Sequence, residues 1–85
     1  MSDSRKGLVK RLYVTDGRTF IRLDLPADQQ PKDSYFELLQ THSNYNALFA
    51  LALSCAINRQ RLWIDTATDI TPTEVPKVDY LVAEW

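Results

Sequence analysis

Along the first third of the chain, apolar and polar residues alternate with a period of two. Residues 7–15 (GLVKRLYVT) and 18–25 (RTFIRLDL) are both of this kind, and Asp16-Gly17 separates them. A two-residue Asp-Gly loop between such runs predicts a β-hairpin with a type I′ turn, which needs positive φ at both central residues. Counting back from that turn pairs Val14 with Thr19, Tyr13 with Phe20, Leu12 with Ile21, Arg11 with Arg22 and Lys10 with Leu23. Alternation then places Leu8, Leu12, Val14, Ile21, Leu23 and Leu25 on the core face. Val9, Arg11, Tyr13, Phe20, Arg22 and Asp24 fall on the outer face.

Residues 26–33 hold two prolines and no periodicity, and so read as a loop. Residues 34–40 (SYFELLQ) predict a third strand, with Phe36 and Leu38 on one face and Tyr35, Glu37 and Leu39 on the other. The period then changes. Ser43 or Asn44 can cap a helix that runs to about Asn58, with Arg59 and Arg61 suited to the negative end of its dipole. Its expected inward face is Tyr45, Leu48, Phe49, Ala52, Leu53 and Ala56. Residues 61–66 (RLWIDT) and 78–85 (VDYLVAEW) predict two more strands, joined by a long Thr- and Pro-rich loop. Three strands, a helix and two strands in so short a chain predict an α+β, mainly β fold. The expected form is a small five-stranded barrel, closed or nearly closed, with the helix plugging one end.

The far side of the helix changes the picture. Ala47, Ala50, Leu51, Ser54 and Asn58 lie there, small rather than charged. A solvent-facing helix side normally carries Lys, Glu or Gln, and small residues let backbones approach closely. Ala47, Ala50, Leu51 and Ser54 are therefore the expected interface of a homo-oligomer; the alternative is a helix covered by its own loops.

Composition supports a single folded domain over residues 1–85, with 45% hydrophobic and 11% aromatic residues. A core of this size contributes little net stability, and such chains gain from oligomerising. Cys55 is the sole cysteine, so no disulfide forms within the chain. The N-terminal MSDSRKG has no apolar run behind it, and the longest apolar stretch is too short to span a membrane. A cytoplasmic protein without membrane insertion is the expectation.

A net charge of −1 conceals an asymmetry. Arg5, Lys6, Lys10, Arg11, Arg18 and Arg22 face only Asp3 and Asp16 in residues 1–22, while the remainder is acidic. That pattern favours self-association or one local anion-binding patch over broad nucleic-acid affinity. Tyr13, Phe20, Arg11 and Arg22 share the outer face of the hairpin and are the candidate ligand-binding residues. Together they form a stacking platform of the kind barrels use for sugars or single-stranded bases. Two arginines directly opposite one another repel. Asp24, a partner subunit or an anionic ligand is expected to relieve them. The plainer alternative is an ordinary aromatic cross-strand pair with Asp24 neutralising one arginine.

Enzymatic chemistry finds no support in the motifs. Cys55 falls in a buried part of the helix and His42 precedes the helix by more than a turn, which argues against a Cys–His pair. One His, one Cys and scattered carboxylates give no metal-ligand spacing. Gly7 and Gly17 are the only glycines, which excludes a P-loop or a dinucleotide fingerprint. Asp65, Asp69, Glu74 and Asp79 read as a solvated rim. No cofactor and no catalytic residue is expected.

Residues 45–64 (YNALFALALSCAINRQRLWI) run a small-residue helix almost directly into a strand. With the order of elements, this stretch resembles OB-fold proteins, and within them the B subunits of bacterial AB-type toxins. The resemblance implies a pentameric ring whose centre is lined by the helices. Those subunits are secreted and usually disulfide-bonded, whereas this chain has one cysteine, and none of their sugar-binding residues has a counterpart here. The likeness therefore implies a non-enzymatic, ring-forming barrel that serves assembly or ligand binding rather than a toxin role. The second functional expectation is a single-stranded nucleic-acid-binding protein.

Overall fold

A computed structural model describes residues 3–83. Five strands and one long helix follow in the expected order: β1 (Asp3–Thr15), β2 (Arg18–Leu23), β3 (Tyr35–Glu37), α1 (Tyr45–Asn58), β4 (Arg61–Thr66) and β5 (Val78–Ala83). Single 3-10 turns at Ala27–Gln29 and Lys32–Ser34 interrupt the loop before β3. The third strand is shorter than expected, and the end of the expected fifth strand, Glu84 and Trp85, lies outside the described residues.

All five strands form one antiparallel sheet in the order β3-β2-β1-β4-β5. β1 sits at its centre and needs its 13 residues because it serves two partners. Its second half pairs with β2 and its first half with β4. The sheet is not closed into a barrel. Its two edges approach where the Glu37 N–H donates to the Pro76 carbonyl (2.9 Å), beside a parallel bridge between Glu37 and Lys77.

The hairpin register holds from the turn back to Arg11↔Arg22, and the turn itself differs. Only Gly17 takes positive φ (84°), while Asp16 does not, so this is not a type I′ turn. Beyond Arg11 the register slips. Val9, not Lys10, lies opposite Leu23, and Lys10 is the extra residue of a β-bulge. Two assignments reverse as a result. Val9 turns inward and packs on the core, while Leu8 turns to the outer face opposite Arg61. The cause is the double duty of β1, which must bend to leave β2 and join β4. Gly7 lies at this crossing, where an added Cβ would stand 2.8 Å from the Asp24 carbonyl. Val14, also expected inside, is 56% exposed because the hairpin tip extends past the core.

The core comprises Ile21, Leu23, Leu25, Phe36, Leu38, Leu62, Ile64, Val78 and Leu81 from the sheet side, closed by Leu48, Ala52 and Cys55 of α1. With the sheet open there is no barrel end to plug; the helix packs on the core side of the sheet, where its Tyr45 hydroxyl meets Thr19 Oγ1 at 2.7 Å and Thr19 is fully buried. Its azimuth differs from expectation. Leu51 packs on the core, whereas Leu53 is 41% exposed. A helix apolar all round offers no polar face from which to fix that rotation.

The helix ends also differ in their chemistry. Asn44 occupies the N-cap position but its side chain makes no capping bond. Its backbone N–H donates instead to His42 Nδ1 (3.0 Å). At the C-terminus Arg59 adopts the left-handed conformation (φ 53°). The Arg59 and Gln60 N–H groups both donate to the Cys55 carbonyl.

Candidate ligand-binding face

Pairing of β1 with β2 and of β2 with β3 lines up three aromatic rings on the outer surface of the sheet. Tyr13 lies opposite Phe20, and Arg22 opposite Tyr35. Tyr13 and Phe20 meet edge to face with centroids 6.1 Å apart, and Phe20 and Tyr35 repeat that contact at 6.0 Å. Tyr13 is the most open of the three. The rings form one wall of an open concavity of about 440 Å³, completed by Arg18, Lys32, Asp33 and Val75.

Guanidinium groups interleave with the rings. Arg18 lies over Phe20 (4.9 Å to the centroid) and Arg22 over Tyr35 (5.9 Å). Arg11 Nη1 donates to the Tyr35 hydroxyl (3.1 Å). All four expected residues, Arg11, Tyr13, Phe20 and Arg22, therefore lie on one connected surface. Tyr35, Arg18 and Lys32 belong to it as well. Arg18 follows from the hairpin alternation alone, two residues before Phe20. Tyr35 does not, because an irregular loop hides the β2–β3 register.

Lys32 and Asp33 reach the rim through a strained backbone. Asp33 (φ 58°) and Ser34 (φ 63°) are consecutive left-handed residues, and neither is glycine. Pro31 is buried beneath this turn, and the Ser34 N–H donates to its carbonyl (3.0 Å).

The cations on this face differ in how they are balanced. Arg18 donates through Nε and Nη2 to both carboxylate oxygens of Glu37, at 3.2 and 3.1 Å, and Lys77 Nζ approaches the same group at 3.4 Å. The hydrogen bonds from Arg18, assisted by Lys77, hold the Glu37 carboxyl below its usual pKa although burial pushes the other way. Among the described residues no carboxylate pairs with Arg11 or Arg22. Asp24, expected to neutralise one of them, instead lies 4.0 Å from Lys10, because the bulge carries it away. Arg22 Nε is buried and has no hydrogen-bond partner.

No family model, curated protein or solved structure matches this chain.

Away from this face, Trp63 Nε1 is also buried without a hydrogen-bond partner. A second concavity of about 410 Å³ lies at the start of α1, lined by Gln40, His42, Ser43, Asn44 and Asn46 among others. There His42 Nδ1 accepts the Asn44 N–H, which leaves Nε2 to donate to the Asp79 carbonyl (2.9 Å). Cys55 is buried, and burial pushes its thiol pKa up. No cluster of three metal-ligating side chains occurs among the described residues, and no described helix is long and apolar enough to cross a membrane.

The expected oligomer face is distributed unevenly. Ala47, Ala50 and Ser54 are exposed on α1, together with Leu53 and Ile57, while Leu51 belongs to the core side.

Proposed function

We propose that this chain is a non-enzymatic, OB-like binding module that takes a short single-stranded nucleic-acid segment on the outer face of β1, β2 and β3. The observation that carries this reading is the row Tyr13–Phe20–Tyr35 with guanidinium groups over Phe20 and Tyr35. Bases have π-faces and phosphates carry charge, so a polynucleotide meets both halves of this surface at once. A neutral sugar would use the rings and leave the arginines unbalanced. Fluorescence anisotropy with a labelled mixed-sequence oligonucleotide at low salt tests the reading. Tyr13→Ala is expected to weaken binding about tenfold, in line with the loss of one stacking contact. Absence of binding by the native chain at low salt overturns it.

A second reading concerns assembly, and a different surface supports it. α1 carries no charged residue, and its open side exposes Ile57 (71%) and Leu53 (41%) beside Ala47, Ala50 and Ser54. A homo-oligomer that buries this side removes apolar surface from water. The two readings are compatible, since the helix packs on the core side of the sheet and the aromatic row lies on its outer side.

A further inference from the structure

We infer that the Arg11–Arg22–Tyr35 corner of this face is a phosphate subsite, while Arg18, on the same face, is a structural cation that binds no ligand phosphate. The inference rests on the nucleic-acid reading above and assigns its charge recognition to particular residues. Arg11 and Arg22 are direct cross-strand partners, an arrangement that is unfavourable for like charges unless an anion joins them. The nearest acid in sequence, Asp24, is spent on Lys10 across a long 4.0 Å contact. Every side-chain group presented at this corner donates. Arg22 is half-buried, its Nε enclosed without an acceptor. Arg11 uses one N–H on the Tyr35 oxygen and keeps others for a ligand. Having accepted from Arg11, the Tyr35 hydroxyl retains its own proton to donate. Two planar guanidinium groups and one phenol, with no described carboxylate paired to them, match the oxygens of a phosphate group.

Arg18 differs on each count. Glu37 accepts from its Nε and Nη2, and Lys77 Nζ lies 3.4 Å from the same carboxylate. Its guanidinium is fixed over Phe20. An incoming phosphate could use the bidentate Nε–Nη2 edge of Arg18 only by displacing a buried carboxylate. The face thus divides into an open stacking end at Tyr13 and a phosphate-binding corner at Tyr35, about two ring spacings apart.

Salt dependence separates these roles, because each phosphate contact on a single strand contributes about 0.7 to the slope of log K against log salt. Anisotropy titrations of the full chain with a mixed-sequence single-stranded DNA oligonucleotide are run over a series of KCl concentrations. Arg11→Ala and Arg22→Ala are each expected to lower the slope by about 0.7 and weaken binding about tenfold at low salt. Arg11→Lys and Arg22→Lys are expected to keep the slope and lose affinity, since the charge stays and the planar fork goes. Arg18→Ala is expected to leave the slope unchanged. Circular dichroism and urea midpoints verify that each variant folds, and NMR shifts of the Arg11 and Arg22 side chains with inorganic pyrophosphate provide a second readout.

If the native chain binds the oligonucleotide and Arg18→Ala, not Arg11→Ala or Arg22→Ala, reduces the slope, the subsite assignment falls and the nucleic-acid reading stands. If no oligonucleotide binds while pyrophosphate saturably shifts Arg11 and Arg22, the subsite stands and the nucleic-acid reading falls. With neither effect, both fall.

Discussion

Glu37 shows how one side chain joins the site to the fold. It lies on β3 with its side chain only 7% exposed, yet it is an acid, and its cost of burial is offset by Arg18 from β2 and Lys77 from the segment entering β5. The folded-state pKa is lowered, chiefly by the Arg18 hydrogen bonds. A lowered carboxylate pKa stabilises the fold above the unfolded value of about 4.3, and the contribution is lost as pH falls through the folded value. Glu37→Gln is therefore expected to cost about 1–2 kcal/mol near neutral pH, kept modest by the exposure of both cations. The difference from the native chain should shrink once pH drops well below about 4. Urea midpoints at neutral and acid pH check both halves; a penalty that is equal at the two would show that the charge of Glu37 does not stabilise the fold. Neither partner was legible in the sequence. Arg18 and Glu37 are separated by an irregular loop, and Lys77 reaches Glu37 only because the two sheet edges meet there.

At the level of elements, what was local could be read and what depended on distant partners could not. The Asp16-Gly17 loop gave four correct cross-strand pairs, and with them Arg11, Tyr13, Phe20 and Arg22 on one face. The bulge at Lys10 escaped because its cause is β4, some fifty residues away in sequence, competing for the first half of β1. The same limit applied to α1. Its existence and ends were clear, but its rotation depended on which of its many apolar residues met the sheet. The α1 C-terminus holds a strain that substitution can relieve. Arg59 pays the steric cost of φ 53° that glycine avoids. Its backbone N–H makes the capping bond, so the side chain is dispensable there. Arg59→Gly is expected to stabilise the fold by about 0.5–1 kcal/mol, the cost of the left-handed conformation less the added freedom of the unfolded chain. The check is a higher urea midpoint at an unchanged slope, which locates the gain in the folded state rather than in altered compactness.

The whole molecule presents two surfaces of opposite character. One is the aromatic, guanidinium-rich outer face of β1, β2 and β3, and the other is the uncharged open side of α1. Charge keeps the first hydrated, whereas the second exposes Leu53 and Ile57 with no ion nearby on the helix to solvate it. Burying this apolar side contributes roughly 25 cal/mol for each Å² removed from water, and the small side chains of Ala47, Ala50 and Ser54 let a second helix come close. A small core leaves the isolated chain little stability to spare, so association through α1 and folding are expected to be linked. The native particle should then sediment above the mass of one chain, and its thermal midpoint should rise with protein concentration. Ala50→Glu and Ile57→Lys each place a charge in the proposed interface while leaving the core side of α1, Leu48, Ala52 and Cys55, untouched. Both are expected to yield single chains with a concentration-independent midpoint and undiminished oligonucleotide binding per chain. A native particle already at the mass of one chain removes the assembly reading. If the variants keep the larger mass, an oligomer exists but is built through another surface, and the open edge of β5 is then the next to test, by proline substitution at Val82.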